Sequence, residues 1–316
     1  MPIAARTSRA SRCRRATSSA SCRRRRPARS RSTCCAQRRS PRLQSSDLKE
    51  DTVNAPLEAG LDPCVLASVH DGVRTITMNR GDRFNGLSTA MIAALDAALD
   101  EAAADRDTRV VVLAGAGKAF CAGHDLKEMR AHIDPAWQQA LFDACGRMML
   151  KLTQIPQPVI ARVHGAAAAA GCQLVAMCDL AVAVEGAKFG LSGINAGIFC
   201  STPAVGVARN VSRKRAMELL VTGKLIDAAT AADWGLVNRA VPAERLDEAV
   251  AELASAIVAK SPAAVALGKR AFYRQLECGL ADAYALAGET MTCNMLDPDA
   301  AEGIDAFLGK RRPNWR

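Results

Sequence analysis

Three short apolar runs constrain the fold of this chain most strongly: VVVLAG (110–115), PVIARVHG (158–165) and DLAVAV (179–184). Each is too short for a typical helix and rich in β-branched residues, so each predicts a strand. Because the runs are mostly apolar and helical segments separate them, they indicate buried strands of a parallel sheet covered by helices. With 316 residues, 49% of them apolar, the chain can bury a full core of this α/β kind.

The segments in front of these runs carry turn and cap signals. The stretch CVLASVHDGVRTITMN alternates apolar and polar residues around His70, Asp71 and Gly72, which predicts a hairpin. Ser88 precedes TAMIAALDAALDEAAAD and is the residue type that caps a helix amino terminus. A hairpin and a capped helix therefore lead into the predicted sheet.

From Ser212 onward the pattern changes to helices almost throughout. Gly, Pro or polar turns separate the helical segments, which are RKRAMELLVTG, DAATAADWGLV, ERLDEAVAELASAIVAK, PAAVALGKRAFYRQL, LADAYALAGETMTCNML and DAAEGIDAFLGK. We therefore expect a core over residues 63–211, followed by a helical region over residues 212–316. Residues 47–62 are expected to form a linker.

The net charge of +10 is concentrated at the amino terminus. Residues 1–46 contain fourteen Arg and no Lys, Asp or Glu, and removing these charges leaves about −4 for the remainder. A basic, Ser-rich and acid-free leader is typical of an organelle transit peptide, here a disordered one. The mitochondrial matrix is the expected destination and a plastid the alternative; a basic tail that binds RNA or an acidic surface stays open. Nothing else predicts nucleic-acid binding, and no apolar run approaches the roughly 20 residues of a membrane span.

The twelve cysteines do not predict a metal site. Four lie in the leader, and the other eight form no CxxC pair and have no His at ligand spacing. We expect most of them to be small buried thiols in a reducing compartment. Neither a metal nor a permanently bound cofactor is expected.

Several motifs occur together and in a fixed order. MNRGDRFNGLS comes first, then AFCAGHDLKEM, then HGAAAAAGCQLVAMCDLAVA, followed by AKFG, MELLVTGKLIDAATAADWGLVNRAVP and AFLGKRRPNW. From Cys64 to Trp315 this series resembles the enoyl-CoA hydratase/isomerase family, the crotonases, whose corresponding motifs are NRP…NAL, AGAD and NG…GGGCEL…CD. AAGCQLVA and GIFCSTP are most similar to a mitochondrial group within that family. The resemblance implies a crotonase (ClpP-like) β/α spiral core with a C-terminal helical trimerisation region, assembled as a homotrimer or a dimer of trimers.

The resemblance also implies an acyl-CoA ligand, with coenzyme A entering as part of the substrate. A thioester carbonyl that gains negative charge needs two fixed hydrogen-bond donors, and main-chain N–H groups supply them without a side chain. By resemblance these donors are the N–H groups of His124 and Ala170. The expected contacts to the ligand, again by resemblance, are Arg83, Ala122, Asp125, Lys127 and Gly171, with Phe307 and Lys310 covering the adenine of a neighbouring subunit.

The two glutamates that family hydratases use for proton transfer are absent. Gln173 occupies the first position and, in an ungapped alignment of AKFGLSGIN, Gly193 occupies the second. An amide cannot exchange a proton at neutral pH and glycine has no side chain. Candidate replacements are His124, Asp125, Glu128, Asn195, Cys200 and Ser201. For Asp125 and Glu128 a helix-start role is the alternative, and for Cys200 a buried thiol.

Two functions remain open from the sequence. One is an enzyme of fatty acyl-CoA metabolism, a hydratase, isomerase or acyl-CoA hydrolase that uses other residues. The other is a catalytically silent acyl-CoA binder or regulatory subunit. In either case ordinary two-glutamate hydration is not expected.

Overall fold

The computed structural model describes residues 62–315, which form two sheets and the helices around them. The expectations for residues 1–46 and for nearly all of the linker concern residues outside this range. The strands of the described part are β1 (Val65–His70), β2 (Val73–Met78), β3 (Val110–Gly115), β4 (Ala119–Cys121), β5 (Val159–Val163), β6 (Ala166–Ala168), β7 (Leu180–Val184), β8 (Lys188–Gly190), β9 (Ile226–Asp227) and β10 (Arg239–Val241).

The α-helices run from the first turn after the hairpin to the carboxyl end. They are α1 (Thr89–Ala104), α2 (Leu126–Ala131), α3 (Pro135–Gln154), α4 (Ala170–Met177), α5 (Ser201–Asn210), α6 (Arg213–Thr222), α7 (Ala228–Asp233), α8 (Leu246–Val258), α9 (Pro262–Leu276), α10 (Leu280–Met295) and α11 (Pro298–Leu308).

The larger sheet contains six strands in the order β1-β2-β3-β5-β7-β10. Strands β1 and β2 are antiparallel, and β2, β3, β5, β7 and β10 are parallel to one another. The three apolar runs form β3, β5 and β7, whose residues are mostly buried, as the sequence predicts. The fold is therefore α/β with a parallel core.

The hairpin and the capped helix are also confirmed. Asp71 and Gly72 form the turn with φ of 48° and 78°, a conformation that glycine adopts without strain. The Ser88 side chain accepts a hydrogen bond from the Met91 N–H at 3.2 Å and so caps α1.

The smaller sheet, in the order β4-β6-β8-β9, has no counterpart in the sequence-based prediction. Its strands have two or three residues each, and β4, β6 and β8 are parallel. Strand β6 is part of the alanine run, which thus begins as a strand and continues as helix α4. This sheet places the end of β4 beside the start of α4, where the candidate site lies.

The region after Ser212 is predominantly helical, as expected, but it also contributes β9 and β10. Strand β10 pairs with β7 and completes the larger sheet. In contrast to α8, neither α9 nor α10 has a residue that is buried as a whole. The helical region therefore extends the core at one end and presents unpartnered apolar faces at the other.

A buried ion pair attaches α9 to the sheet. Lys269 Nζ lies 2.7 Å from Asp179 Oδ2 and also donates to the carbonyl oxygens of Leu152 and Gln157. Asp179 further accepts hydrogen bonds from the Tyr273 hydroxyl and the Val159 N–H. Desolvation lowers the pKa of Lys269 and Asp179 opposes that shift, whereas burial raises the pKa of Tyr273. The carboxylate is thus fully engaged.

Most cysteines of the described part are buried, as expected: Cys121, Cys145, Cys172, Cys178 and Cys200. Cys278 is exposed and differs from that expectation.

Among the helices of residues 62–315, no single one has the length and apolar composition of a membrane span. Helices Ala243–Val258 and Pro262–Leu276 reach it only as a pair, across a bend of 105°.

Candidate active site

A cavity of about 870 Å³ lies between the segment that follows β4, the start of α4 and the segment that leads into α5. Its walls come from residues within four segments, 82–86, 122–129, 169–170 and 192–203, together with Phe142 of α3. Among the residues singled out in the sequence, those that line it are Arg83, Ala122, His124, Asp125, Lys127, Ala170, Gly193, Cys200 and Ser201. The motifs thus converge on one cavity.

The loop between β4 and α2 forms one side of this cavity, and buried Asn85 fixes it. The Asn85 side-chain amide donates to the carbonyl oxygens of Ala116, Ala119 and Phe120 at 2.8–3.1 Å. The Leu87 N–H donates to the Gly123 carbonyl oxygen at 2.8 Å. These bonds hold the main chain around His124 in place.

The two acids of this loop serve the main chain. Asp125 caps α2 by accepting hydrogen bonds from the N–H groups of Lys127 and Glu128 at 2.9 and 3.2 Å. Glu128 accepts from the Thr89 N–H at 2.9 Å, at the start of α1. The geometry therefore supports the helix-start role rather than catalysis for both.

The start of α4 forms the opposite side. Ala169 precedes the helix with φ 48° and ψ −117°, and its N–H donates to the Gly190 carbonyl oxygen at 2.8 Å. A Cβ added to Gly123 would lie 3.1 Å from the Ala170 nitrogen, so the two loops are in contact. A Cβ on Gly171 would overlap the Cys121 carbonyl oxygen, which explains why glycine is required there.

The main-chain N–H groups of His124 and Ala170 belong to residues that line the cavity and are available to a ligand. Within residues 62–315 neither donates a hydrogen bond in the structure. Ala170 is the first residue of α4, so its N–H has no acceptor within the helix and carries the positive end of the helix dipole. Two such donors side by side can stabilise a developing oxyanion.

The His124 side chain is half-buried beside these donors. Its ring meets the Phe142 ring edge to face, with centroids 5.5 Å apart and planes at 85°. The Nε2 atom is enclosed and has no hydrogen-bond partner among the described residues. Desolvation lowers the pKa of His124 and the nearby Glu128 opposes the shift, so the imidazole is neutral at pH 7.

The positions of the absent glutamates differ in their surroundings. Gln173 lies in the first turn of α4, is 5% exposed, and its Oε1 has no hydrogen-bond partner in the described chain. Gly193 lies in a 3-10 helix over Ser192–Ala196 and lines the cavity. A Cβ at Gly193 would lie 2.7 Å from the Ile198 carbonyl oxygen and 2.8 Å from Cys200 Sγ. The chain therefore fills the space in which a second glutamate would begin.

Of the other candidates, Asn195 is not in the cavity wall. Its amide donates to the Gly223 carbonyl oxygen at 3.2 Å and so holds the end of α6. Cys200 is 5% exposed, and burial raises its pKa against the opposing hydrogen bond from the Gly193 main chain. Ser201 begins α5. The buried-thiol interpretation therefore fits Cys200.

The remaining ligand contacts divide between the cavity and a distant surface. Arg83 and Lys127 are exposed cations in the cavity wall. Gly171 packs against β4 instead of lining the cavity. Phe307 is 83% exposed on α11 and Lys310 follows that helix, both away from the cavity of their own chain.

Within residues 62–315 no group of three His, Cys, Asp or Glu side chains is placed to hold a metal ion.

Several wall residues were not identified from the sequence. Phe84, Phe142, Ile198 and Phe199 supply apolar wall, and Ala169 carries the unusual backbone conformation. Phe142 lies in an amphipathic helix without a motif, so no sequence signal separates it from core residues. Ala169 had a signal, because the family motif GGGCEL has glycine at its position.

Comparisons with known proteins agree on the family. Residues 68–316 match the family model described as enoyl-CoA hydratase/isomerase. The rat mitochondrial enoyl-CoA hydratase domain-containing protein 3 is 42% identical over 245 residues, covering 78% of this chain and 82% of that protein. The Xenopus laevis protein of the same name is 39% identical over 285 residues, covering 89% and 97%.

Two solved structures share the fold and much of the sequence. The crystal structure of the human enoyl-CoA hydratase domain-containing protein 3 has a TM-score of 0.78 and 41% identity, covering 80% of this chain and 100% of that chain. An enoyl-CoA hydratase structure from Mycobacterium smegmatis has a TM-score of 0.79 and 56% identity, covering 80% and 99%.

Proposed function

Because the chain belongs to the enoyl-CoA hydratase/isomerase family, we propose that its cavity binds an acyl-CoA thioester with the carbonyl oxygen between the His124 and Ala170 N–H groups. The observation that carries this proposal is the contact between the β4–α2 loop and the start of α4 in the wall of one 870 Å³ cavity. Within residues 62–315 neither N–H group has an acceptor, and a thioester oxygen supplies one.

Arg83 and Lys127 are the expected partners of the coenzyme A phosphates. Both are exposed cations in the cavity wall, and phosphate oxygens form strong charge-assisted hydrogen bonds with such groups. The apolar side chains of Phe142, Ile198 and Phe199 offer the acyl chain a surface in the same cavity. No metal or permanently bound cofactor enters this proposal.

Two-glutamate hydration is not part of the proposed function. Gln173 cannot exchange a proton, and at Gly193 the Ile198 carbonyl and the Cys200 thiol occupy the space that a side chain needs. The protein is either a silent acyl-CoA binder or an enzyme that uses another group. The imidazole of His124, whose Nε2 has no hydrogen-bond partner among the described residues, favours the second of these.

The decisive test combines a binding measurement with a hydration assay. Calorimetric titration of the full-length protein with octanoyl-CoA should release or absorb heat. Octanoyl-CoA should also raise the Tm of the protein, because the ligand binds only the folded state. The wild type should not hydrate crotonyl-CoA. Absence of both heat and thermal shift would refute binding, and robust wild-type hydration would refute the absence of hydratase chemistry.

Restoring the acids provides a sharper version of the assay. Gln173→Glu places a carboxyl group at the first position, whereas Gly193→Glu must displace the Ile198 main chain and should destabilise the fold by about 1–3 kcal/mol through overpacking. We expect neither variant to hydrate crotonyl-CoA, because each restores only one of the two glutamates. Hydration by Gly193→Glu with unchanged Tm would show that the crowding around residue 193 is not a barrier.

A role in mitochondrial fatty acid metabolism is the proposed cellular setting. It is supported by the word mitochondrial in the names of the rat and Xenopus relatives and by the acid-free, Arg-rich residues 1–46. Fused to a reporter, residues 1–46 should direct it to the matrix. A reporter in the cytosol would overturn the transit assignment, and one in a plastid would favour the alternative.

Assembly into a trimer, or a dimer of trimers, is proposed from the faces of the carboxyl-terminal helices. Large apolar side chains are exposed along α9, α10 and α11: Phe272, Leu276, Leu280, Tyr284, Met291, Met295, Leu296, Ile304, Phe307 and Leu308. Exposed apolar surface of this extent marks an interaction site. Placement of Phe307 and Lys310 over the ligand of a neighbouring subunit would follow from such an assembly.

A further inference from the structure

The cavity contains few groups that can exchange a proton at neutral pH. Its titratable side chains are Asp82, Arg83, His124, Asp125, Lys127 and Cys200. The Asp125 carboxylate caps α2. Asp82 Oδ2 lies 3.8 Å from Arg83 Nε, and the side chains of Asp82 and Arg83 are largely exposed. Lys127 is exposed, and Cys200 is a neutral thiol because burial raises its pKa. His124 is therefore the one cavity-wall group of the described chain suited to act as a base near pH 7.

The orientation of the His124 ring leaves one nitrogen for the cavity. Nε2 is enclosed without a hydrogen-bond partner, and the Phe142 ring on α3 holds the imidazole edge to face. Nδ1 is thus the atom through which the imidazole can meet a bound molecule. A neutral imidazole that carries its hydrogen on Nε2 presents a lone pair at Nδ1.

The imidazole of His124 and the His124 N–H belong to one residue, so the base and the oxyanion donor are separated by only a few covalent bonds. If a thioester oxygen accepts from the His124 N–H, the carbonyl carbon and the adjacent α-carbon lie within a few ångströms of that residue. No other base of the cavity wall is as close to this donor along the chain. The geometry therefore sets a proton acceptor next to the group that stabilises an enolate.

We propose that the His124 imidazole removes a proton from the α-carbon of a bound acyl thioester, an inference that rests on the acyl-CoA binding proposed above. The α C–H bond breaks and its proton forms a bond to Nδ1. The electron pair moves into the carbonyl group, and the enolate oxygen is held by the N–H groups of His124 and Ala170. Return of a proton to the α-carbon restores the thioester, so the cycle needs no co-reactant.

The charged groups around the imidazole set the pH dependence of this exchange. Glu128, one turn into α2, favours the protonated ring, while desolvation beside Phe142 of α3 opposes it and is the larger effect. Asp125 and Lys127 lie in the same wall segment as His124, Asp82 and Arg83 lie in the segment 82–86, and the Cys200 thiol is neutral. Because desolvation lowers the pKa of His124, the base form predominates at pH 7 and is lost at a lower pH than in an ordinary histidine.

The test is deuterium exchange at the α-carbon of octanoyl-CoA. Full-length protein and octanoyl-CoA are incubated in D₂O, and the mass of the acyl group is followed over time. The wild type should incorporate deuterium faster than a protein-free sample, with a rate that rises with pH and levels off by pH 7. His124→Gln should lower the rate by about 100-fold. This variant keeps the main-chain N–H, so calorimetric binding of octanoyl-CoA should be retained.

His164→Gln is the matched control. His164 is also partly desolvated, which lowers its pKa, but it lies outside the cavity wall, and its Nε2 meets the Gly117 carbonyl oxygen at 3.0 Å, a bond that Gln can replace. It should exchange at the wild-type rate. Wild-type exchange in His124→Gln, or no exchange by a wild type that binds octanoyl-CoA, would overturn the inference. Absence of binding would instead remove the proposed function beneath it.

Discussion

Ala169 holds a backbone conformation that its side chain makes costly. Its φ of 48° and ψ of −117° lie in a region that glycine adopts readily and alanine does not. The strain is maintained by the hydrogen bond from its N–H to the Gly190 carbonyl oxygen and by the packing of α4. The conformation of Ala169 sets the direction of the following N–H group, that of Ala170, at the start of α4.

Replacement of Ala169 by glycine should therefore stabilise the protein. Relief of roughly 1–3 kcal/mol of strain exceeds the 0.5–1 kcal/mol of added chain entropy, so we expect the free energy of unfolding in urea to rise by about 1 kcal/mol. Ala168→Gly, in strand β6 with ordinary dihedral angles, is the control and should lower it. Equal losses in the two variants would show that Ala169 is not strained.

A carboxyl group at residue 173 should make stability dependent on pH. Gln173 is buried and its Oε1 has no partner in the described chain, so the Glu of Gln173→Glu would have a raised pKa in the folded state. A raised acid pKa costs stability once the pH exceeds the unfolded value of about 4.3. The Tm deficit relative to wild type should be larger at pH 8 than at pH 5. Exposed Gln154→Glu should show no such difference.

At the residue scale the sequence identified what occupies each motif position, but not what surrounds it. His124, Ala170, Gln173 and Gly193 were found by alignment to motifs. The crowding of Gly193 by Ile198 and Cys200 arises from a turn of the chain several residues later, and no local pattern encodes it. For the same reason the hydrogen bond from Asn195 to Gly223 could not be predicted, since the two residues are distant in sequence.

At the scale of elements, the buried side chain of Lys269 helps to anchor α9 to the sheet. The side chain of Lys269 is 6% exposed, and that of its partner Asp179, which directly precedes β7, is 15% exposed. Removing the cation leaves a desolvated carboxylate that retains only the Tyr273 and Val159 donors. No residue of α9 is buried as a whole, so the Lys269 and Tyr273 side chains are its main polar connection to Asp179.

Lys269→Ala should consequently lower the free energy of unfolding by about 3 kcal/mol, as expected when one partner of a buried pair is removed. Protection of α9 amides from hydrogen exchange should fall more than that of β5. The control is Lys260→Ala, an exposed lysine just before the same helix, which should change stability by less than about 0.5 kcal/mol. Similar small losses in both would contradict the anchoring role.

The elements that carry strong local signals were predicted and the others were not. Strands β3, β5 and β7 were predicted from the buried apolar runs. The hairpin was predicted from the Asp71-Gly72 turn, and α1 from the Ser88 cap. Strands β4, β6, β8 and β9 have two or three residues each and lie in segments rich in alanine and glycine. Such strands are defined by pairing between distant segments rather than by periodicity, so sequence patterns do not indicate them.

At the scale of the whole molecule, the exposed apolar faces of α10 and α11 predict association. The double variant Phe307→Asp with Leu308→Asp introduces charge at side chains that are 83% and 72% exposed in the single chain. If these side chains are buried between subunits, the variant should shift light-scattering mass from trimer or hexamer towards monomer. Glu244→Lys, an exposed charge change outside these helices, should not. A monomeric wild type would refute the proposed assembly.

The oxyanion donors at residues 124 and 170 have a consequence for how this protein can be dissected. They belong to the peptide backbone, so a scan that exchanges side chains is blind to them, and residue 170 is already alanine. Replacing either amide by an ester would delete the donor and leave every side chain intact. The ability to hold a thioester is therefore encoded by the path of the chain, and it can persist while the surrounding side chains change.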